Sequence, residues 1–309
     1  IACLGLGSDR TSQIVRDQYE ANPYPRWVKT AVSSQAHTVT RILQGMRIVP
    51  KPDDKQLSSL TKILVAGCGT GEQAVVSASR FLNCTVLGVD LSLSSLSYGI
   101  RKTRELGISN IEYIQGDILE LDKLGRQFDI VECSGVLHHM EHPLAGWRVL
   151  VDTLRPNGLM RVALYSEIAR ESIIKAREFI REQGFSSSQE DIRLCRKKIS
   201  SFAGDSALGF AKILQVSDFY SLSECRDLLF HVQEHRFTLP QIAEALQNLG
   251  LEFLGFELQD SQVMKKFVKL YPEKDAHLSL DNWHRFEILN PDVFIGMYQF
   301  WVQKITGLD

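Results

Sequence analysis

The chain has 309 residues, 44% of them hydrophobic and 23% charged, with a formal net charge of −2. A chain of this size buries roughly 75% of its unfolded surface without a disulfide or metal staple, and the near-neutral charge argues against a general electrostatic grip on nucleic acid or acidic membranes. No apolar run approaches the ~18 residues of a membrane helix, and residues 1–7 are too short for a signal peptide. Six cysteines (Cys3, Cys68, Cys84, Cys133, Cys195, Cys225) are scattered without a CxxC pair, which fits reduced thiols in a cytoplasmic protein. The chain opens on Ile1 rather than Met, as a piece of a longer protein would.

In chain order, residues 1–61 precede the first clear strand. A short helix is predicted over 13–21, ended before Asn22-Pro23 because a residue ahead of proline avoids the α region. The next stretch, Asn22-Pro23-Tyr24-Pro25-Arg26-Trp27, is rigid and aromatic. It is either a turn whose Tyr24 and Trp27 pack on the core, or a lid that touches a ligand through Tyr24, Arg26 and Trp27. Residues 50–55 read as an exposed connector.

From 62 onward strands alternate with helices. Ile63, Leu64, Val65 and Ala66 form an apolar run of the kind buried on both faces of a parallel sheet. Further strands are predicted at 85–90, 111–114, 128–134 and 159–165. Ser92 is placed to cap a helix ending near Gly107, and Pro143 to open one over 143–154. Five such units predict a doubly wound parallel sheet. The rhythm breaks over 166–236, read as a helical insertion over the carboxyl edge of the sheet and hence as the substrate cover. Within it, Ser221 and Glu224 have capping-box spacing. Arg193, Arg196, Lys197 and Lys198 read as a solvated helix face. Tyr220, Arg226, His231, His235 and Arg236 either line a pocket or cap helices. A helix from a Thr238/Gln241 cap to Gly250 follows, then strands at 251–258 and 293–302 with a polar, helical excursion between them.

The chemistry concentrates after the first of these strands, where Gly67, Gly69 and Gly71 alternate with Cys68 and Thr70. Bare backbone at the carboxyl edge of an α/β sheet, followed by a helix N-terminus, is where such sheets bind ligands. The spacing is not the G-x-G-x-x-G of dinucleotide binders. Glu72 comes directly after the last glycine, where its charge repels a pyrophosphate but suits the ammonium of an amino-acid moiety. Asp90 ends the second strand, placed to accept both ribose hydroxyls. Asp117 follows the third, placed to accept from an adenine amino group.

With these residues assembled, the chain resembles the class I S-adenosylmethionine-dependent methyltransferases. Val65 to Gly71 is similar to the family's first motif, Gly88-Val89-Asp90-Leu91 to its ribose-binding acid and Gln115-Gly116-Asp117-Ile118 to its adenine-side acid. The run from Phe128 through Ser134 to His139 is similar to the fourth-strand motif. The resemblance implies a Rossmann-like α/β fold: a doubly wound, mostly parallel seven-stranded sheet with an antiparallel last strand and a helical insertion. It implies S-adenosyl-L-methionine as cofactor, held by Gly67, Cys68, Gly69, Thr70, Gly71, Glu72, Asp90, Leu91, Asp117, Ile118 and Ser134. Four segments follow: 1–61 as an N-terminal helical and lid segment, 62–165 as the cofactor-binding core, 166–236 as the substrate cover and 237–309 as the closing part of the core. The stretch 19–27 with this core also resembles methyltransferase domains that follow tetratricopeptide repeats in bacterial proteins, which implies an upstream repeat domain.

His138-His139-Met140-Glu141-His142 contains the inverted zinc-protease spacing, but that motif needs one continuous helix and Pro143 starts the helix only after it. No metal is expected. His138 and His139 are the candidate bases or substrate contacts, unless one merely bonds local backbone. Tyr165, Tyr220 and His235 are the fallback bases, and Tyr24, Arg26, Trp27, Tyr165 and Tyr220 the candidate substrate contacts. The expected activity is in-line methyl transfer to an oxygen or nitrogen of a small molecule or protein. The alternatives are a nucleotide-dependent oxidoreductase and a non-catalytic cofactor-binding module.

Overall fold

The computed structural model describes residues 1–7, 9–51, 60–202, 209–258 and 260–305, so most of the expected connector at 50–55 lies outside the described residues. In order come β1 (Ala2–Gly5), α1 (Arg10–Ala21), α2 (Val39–Gly45), β2 (Thr61–Ala66), α3 (Glu72–Arg80), β3 (Cys84–Asp90), α4 (Leu93–Glu105), β4 (Ile111–Gly116) and β5 (Phe128–Ser134). They are followed by α5 (Pro143–Thr153), β6 (Leu154–Leu164), α6 (Glu171–Gln183), α7 (Gln189–Ser201), α8 (Leu222–Phe230), α9 (Leu239–Leu249), β7 (Leu251–Phe256), α10 (Ser261–Leu270), α11 (Leu280–Leu289) and β8 (Tyr298–Lys304).

Eight strands form one sheet in the order β1-β4-β3-β2-β5-β6-β8-β7. β8 runs antiparallel to β6 and β7, while the pairs from β1 to β6 are parallel. Along β2, Leu64 and Ala66 face one hydrophobic cluster and Ile63 and Val65 the other, so the period-two pattern is buried on both sides. The first cluster gathers Trp147 and Leu150 of α5, Leu246 of α9, Trp283 of α11 and Phe300 of β8. The second takes in Leu43 of α2, Ala74 of α3 and Trp301 of β8.

Caps explain several helix starts. Ser92 accepts from the Ser95 N–H and Thr238 forms a full capping box with Gln241, whereas Ser221 accepts from the Glu224 N–H without the reciprocal bond.

Beyond shifts of two or three residues at the ends of α1 and β7, three strand differences from expectation stand out. The seven expected strands gain β1, whose Gly5 carbonyl accepts from the Asp117 N–H at 2.9 Å while Leu4 packs over Gly116. Four residues carry too little pattern to reveal a strand. β6 starts at Leu154 rather than 159, because Leu154 already pairs with Phe128 before an irregularity that Asn157 absorbs at φ 59°. The last strand starts at Tyr298, not 293.

The N-terminal stretch is more than a lid, since Val39, Ile42, Leu43 and Ile48 are buried in the second cluster. Residues 166–236 carry a third cluster of their own, built on Ile173, Ile199, Phe210, Phe219 and Leu228. Ser166 bridges to Phe237, closing the stretch at its base. Arg193 and Lys197 face outward, but Arg196 of the same run donates to the Tyr220 carbonyl at 2.7 Å.

Candidate active site

β2 ends at Ala66 and the chain turns through three left-handed glycines into α3. A Cβ on Gly67 would lie 2.3 Å from Val136, and one on Gly69 2.4 Å from the Tyr24 carbonyl oxygen. Only glycine fits there, because the loop is pressed between β5's exit and the 22–27 stretch. That stretch is strapped down by the loop itself. The Thr70 N–H donates to the Tyr24 carbonyl at 3.2 Å, Thr70 Oγ1 to the Pro25 carbonyl at 2.5 Å, and Trp27 Nε1 to the Thr70 carbonyl at 3.2 Å.

A cavity of about 410 Å³ opens beside this loop, at the carboxyl edge of the sheet. Nine of the eleven expected cofactor residues line it: Gly67, Cys68, Gly69, Glu72, Asp90, Leu91, Asp117, Ile118 and Ser134. Thr70 and Gly71 do not, because Thr70 holds the strap and Gly71 packs over Tyr113.

Asp90 accepts from the Gly69 N–H at 2.7 Å and the Ser92 N–H at 2.9 Å. Each carboxylate oxygen keeps a second lone pair for an outside donor. Burial pushes its carboxyl up to about 6. Asp117 Oδ1 accepts from the Leu119 N–H at 2.9 Å, while its buried Oδ2 has no partner among the described residues. An unsatisfied buried acceptor beside a glycine cradle fits a ligand amino group.

The far end of the cavity is built from other parts of the chain. Tyr19 of α1 donates to Asp227 Oδ1 at 2.8 Å and lies 3.2 Å from His231 Nε2. The Gln233 N–H donates to His231 Nδ1 at 3.1 Å, so neutral His231 carries its proton on Nε2 and donates it to Tyr19. His139 Nδ1 lies 2.6 Å from the Gln233 carbonyl, which fixes its proton there and leaves Nε2 with a bare lone pair. Burial holds His138 and His139 well below the usual imidazole range and pushes His231 down to about 2, the last also because His139 stands beside it. Burial raises the Asp227 carboxyl to about 6 against the lowering effect of Tyr19.

Of the candidate catalytic pair, His139 lines the cavity and His138 does not. His138 is fully buried with both ring nitrogens unpartnered among the described residues, its ring stacked on Tyr165 at 3.9 Å. Of the candidate substrate contacts, Tyr24 and Tyr165 reach the cavity. Arg26 is exposed, Trp27 is buried behind the glycine loop, and Tyr220 is 58% exposed with its hydroxyl on the Leu214 carbonyl.

Sequence reasoning missed Asp227 and Gln73, both of which line the cavity. Asp227 had one visible signal, an acid set among Cys225, Leu228 and Leu229 on the buried face of α8.

No metal was expected, yet His139, Asp227 and His231 bring ligand-type atoms within 4.8 Å of one another. The two imidazole planes are only 21° apart with centroids 3.6 Å apart. One ion cannot lie in both ring planes at the ~2.1 Å of a metal–nitrogen bond. Stacking, not coordination, is what this geometry favours.

The family profile described as "Methyltransferase domain" matches residues 63–158. Over that stretch the chain is similar to methyltransferase domains. An uncharacterized Synechococcus protein is 27% identical over 241 residues, covering 75% of this chain and 58% of that protein. The trans-aconitate 2-methyltransferase of Deinococcus radiodurans is 36% identical over 102 residues, 33% of this chain and 36% of that enzyme. In fold, the chain is similar to PKMT2 from Rickettsia typhi in complex with AdoHcy, with a TM-score of 0.65 and 20% identity over 90% of this chain and 54% of that one. The chain thus spans little more than half the length of the first of these relatives. The glycine loop, Asp90 and Asp117 lie together on the cavity, with acceptor atoms open to the hydroxyl and amino groups of a ligand. The glycine spacing and the family match leave the oxidoreductase alternative without support.

Proposed function

We propose that this chain transfers the methyl group of S-adenosylmethionine to an oxygen or nitrogen of a small-molecule or protein acceptor. One observation carries the reading: acids on two successive strand ends and a glycine loop open on the same cavity as Tyr19, His139, Tyr165 and Asp227. The cofactor supplies an electrophilic methyl carbon on a sulfonium sulfur. The chain's own part is to align the acceptor with that carbon and to exclude water. Asp90 takes the ribose hydroxyls, Asp117 the adenine amino group, and Glu72 stands by the amino-acid moiety. The 22–27 strap and α8 close the cavity from two sides.

His139 is the contact to the acceptor, through a bare Nε2 whose proton-free state burial enforces. His138 acts one layer back, as the ring against which Tyr165 stacks. Among the described residues, no helix is long and apolar enough to cross a membrane. All six cysteines are free thiols, which supports a reducing, cytoplasmic setting. A preceding tetratricopeptide-type repeat in the full-length protein belongs to this proposal through the resemblance of 19–27, and sequencing the complete reading frame tests it.

Calorimetric titration with S-adenosylmethionine and with NAD(P) tests the reading itself. Tight binding of the first alone is expected, and NAD(P) binding without it would overturn the proposal.

A further inference from the structure

Four carboxylates line the cavity (Glu72, Asp90, Asp117 and Asp227), and among the described residues no lysine or arginine does. Three of the four have work to do on the cofactor. Asp227 has none: it comes from the insertion rather than from a strand end, and it sits with Tyr19, His139 and Tyr165. Among the described residues its one hydrogen bond is from Tyr19. Of the nearby cations, Arg170 is paired with Glu234 at 2.5 Å and lies over the Tyr165 ring at 3.6 Å, so it reaches Asp227 only through space, and Arg177 stands 3.6 Å from Glu234. A buried carboxylate whose direct partner among the described residues is a phenol calls for a positive charge in contact with it.

We propose that the acceptor is an amine, whose ammonium enters the cavity as the charge partner of Asp227 among the rings of Tyr19, Tyr24 and Tyr165. This rests on the methyl-transfer reading and names its substrate class. An anionic acceptor, carboxylate or phosphate, would meet four acids in a lining without lysine or arginine among the described residues, and Coulomb repulsion disfavours it. A neutral alcohol would leave the Asp227 charge with only the Tyr19 bond and the through-space pull of Arg170. An ammonium satisfies both conditions, and aromatic faces add cation–π attraction.

The second acceptor at this end, His139 Nε2, takes one N–H and turns the nitrogen within the site. Asp227 takes another proton outright. The ammonium gives H⁺ to the Asp227 carboxylate, and the freed nitrogen lone pair forms the N–C bond while the C–S bond breaks with its electron pair passing to sulfur. The products are a methylated ammonium and a neutral thioether, and the Asp227 proton then leaves to solvent. Atoms and charge balance without a further reactant. Asp227 suits this task better than either histidine, since its carboxyl sits nearer to neutrality than their strongly depressed imidazoles.

The test uses n-butylamine, n-butanol and butyrate as probes. Each is titrated by calorimetry into protein already saturated with S-adenosylhomocysteine, and then incubated with S-adenosylmethionine carrying a labelled methyl group. Saturation in the first step separates the two proposals, because failure to bind S-adenosylhomocysteine overturns the cofactor reading and this one with it. The amine alone should bind and take label. Asp227→Asn should weaken amine binding about 100-fold with S-adenosylhomocysteine affinity kept, and Asp227→Glu should restore part of it. The proposal is overturned if the alcohol or the acid is labelled in place of the amine, if no amine binding is detected, or if Asp227→Asn binds it as well as the wild type. Loss of labelling after dialysis against EDTA would also overturn it, by making His139, Asp227 and His231 a metal centre.

Discussion

At one end of the cavity the residues proposed to hold the cofactor hang from consecutive strand–helix units, with Asp90 ending β3 and Asp117 following β4. At the other end Tyr19 meets Asp227 across 208 residues and His231 across 212. The first end is held by local backbone geometry: glycines pressed against neighbours, and a carboxylate on two adjacent N–H groups. The second exists only if the insertion folds and docks on α1. On the proposed reading, one fold carries a donor end fixed by local backbone and an acceptor end assembled from distant segments.

That contrast can be broken on purpose. Phe210 is buried in the insertion's own cluster against Phe179 and Phe202. Phe210→Ala should destabilise the insertion by about 3–5 kcal/mol, with faster hydrogen exchange across α6 to α8 and S-adenosylmethionine binding kept. Uniform loss of protection through the sheet would show that the two ends are one cooperative unit. Asp90→Ala attacks the opposite end and should raise the S-adenosylmethionine Kd about 100-fold through two lost charge-assisted bonds, leaving the exchange pattern of α6 to α8 intact.

Acidity provides a milder cut. The Asp90 carboxyl is raised, so it is protonated below about pH 6 and ionised above, and ribose hydroxyls need the ionised form. Cofactor affinity should be flat above that point and fall about tenfold per pH unit below it, as followed by titration calorimetry. The smallest effect belongs to Trp27→Phe, which removes the bond to the Thr70 carbonyl and should lower thermal stability by about 1 kcal/mol with cofactor binding little changed. A large loss of binding would give Trp27 the direct ligand role that its buried position argues against.

How much was readable in the sequence follows the same division. Gly67, Asp90, Asp117 and Ser134 were legible because each sits where a strand ends, and strand ends are marked by apolar runs that stop. β1 was not, since four half-exposed residues at a sheet edge have no periodicity to show. Asp227 was hidden for a different reason. Its partner Tyr19 lies in another segment, and only the packing of α8 against α1 says that an acid among leucines faces a cavity rather than solvent. His138 and His139 were adjacent and looked equivalent. A single-residue step along a short helical turn sent one ring into the core and the other to the cavity.

A crystal structure of the chain with S-adenosylhomocysteine tests the division most directly. The ribose should lie on Asp90, the adenine amino group on Asp117 Oδ2, and the thioether sulfur should face the chamber of Asp227, Tyr19 and His139. A ligand whose sulfur points away from Asp227, or whose base lies away from Asp117, would contradict the account of a fixed donor end and an assembled acceptor end.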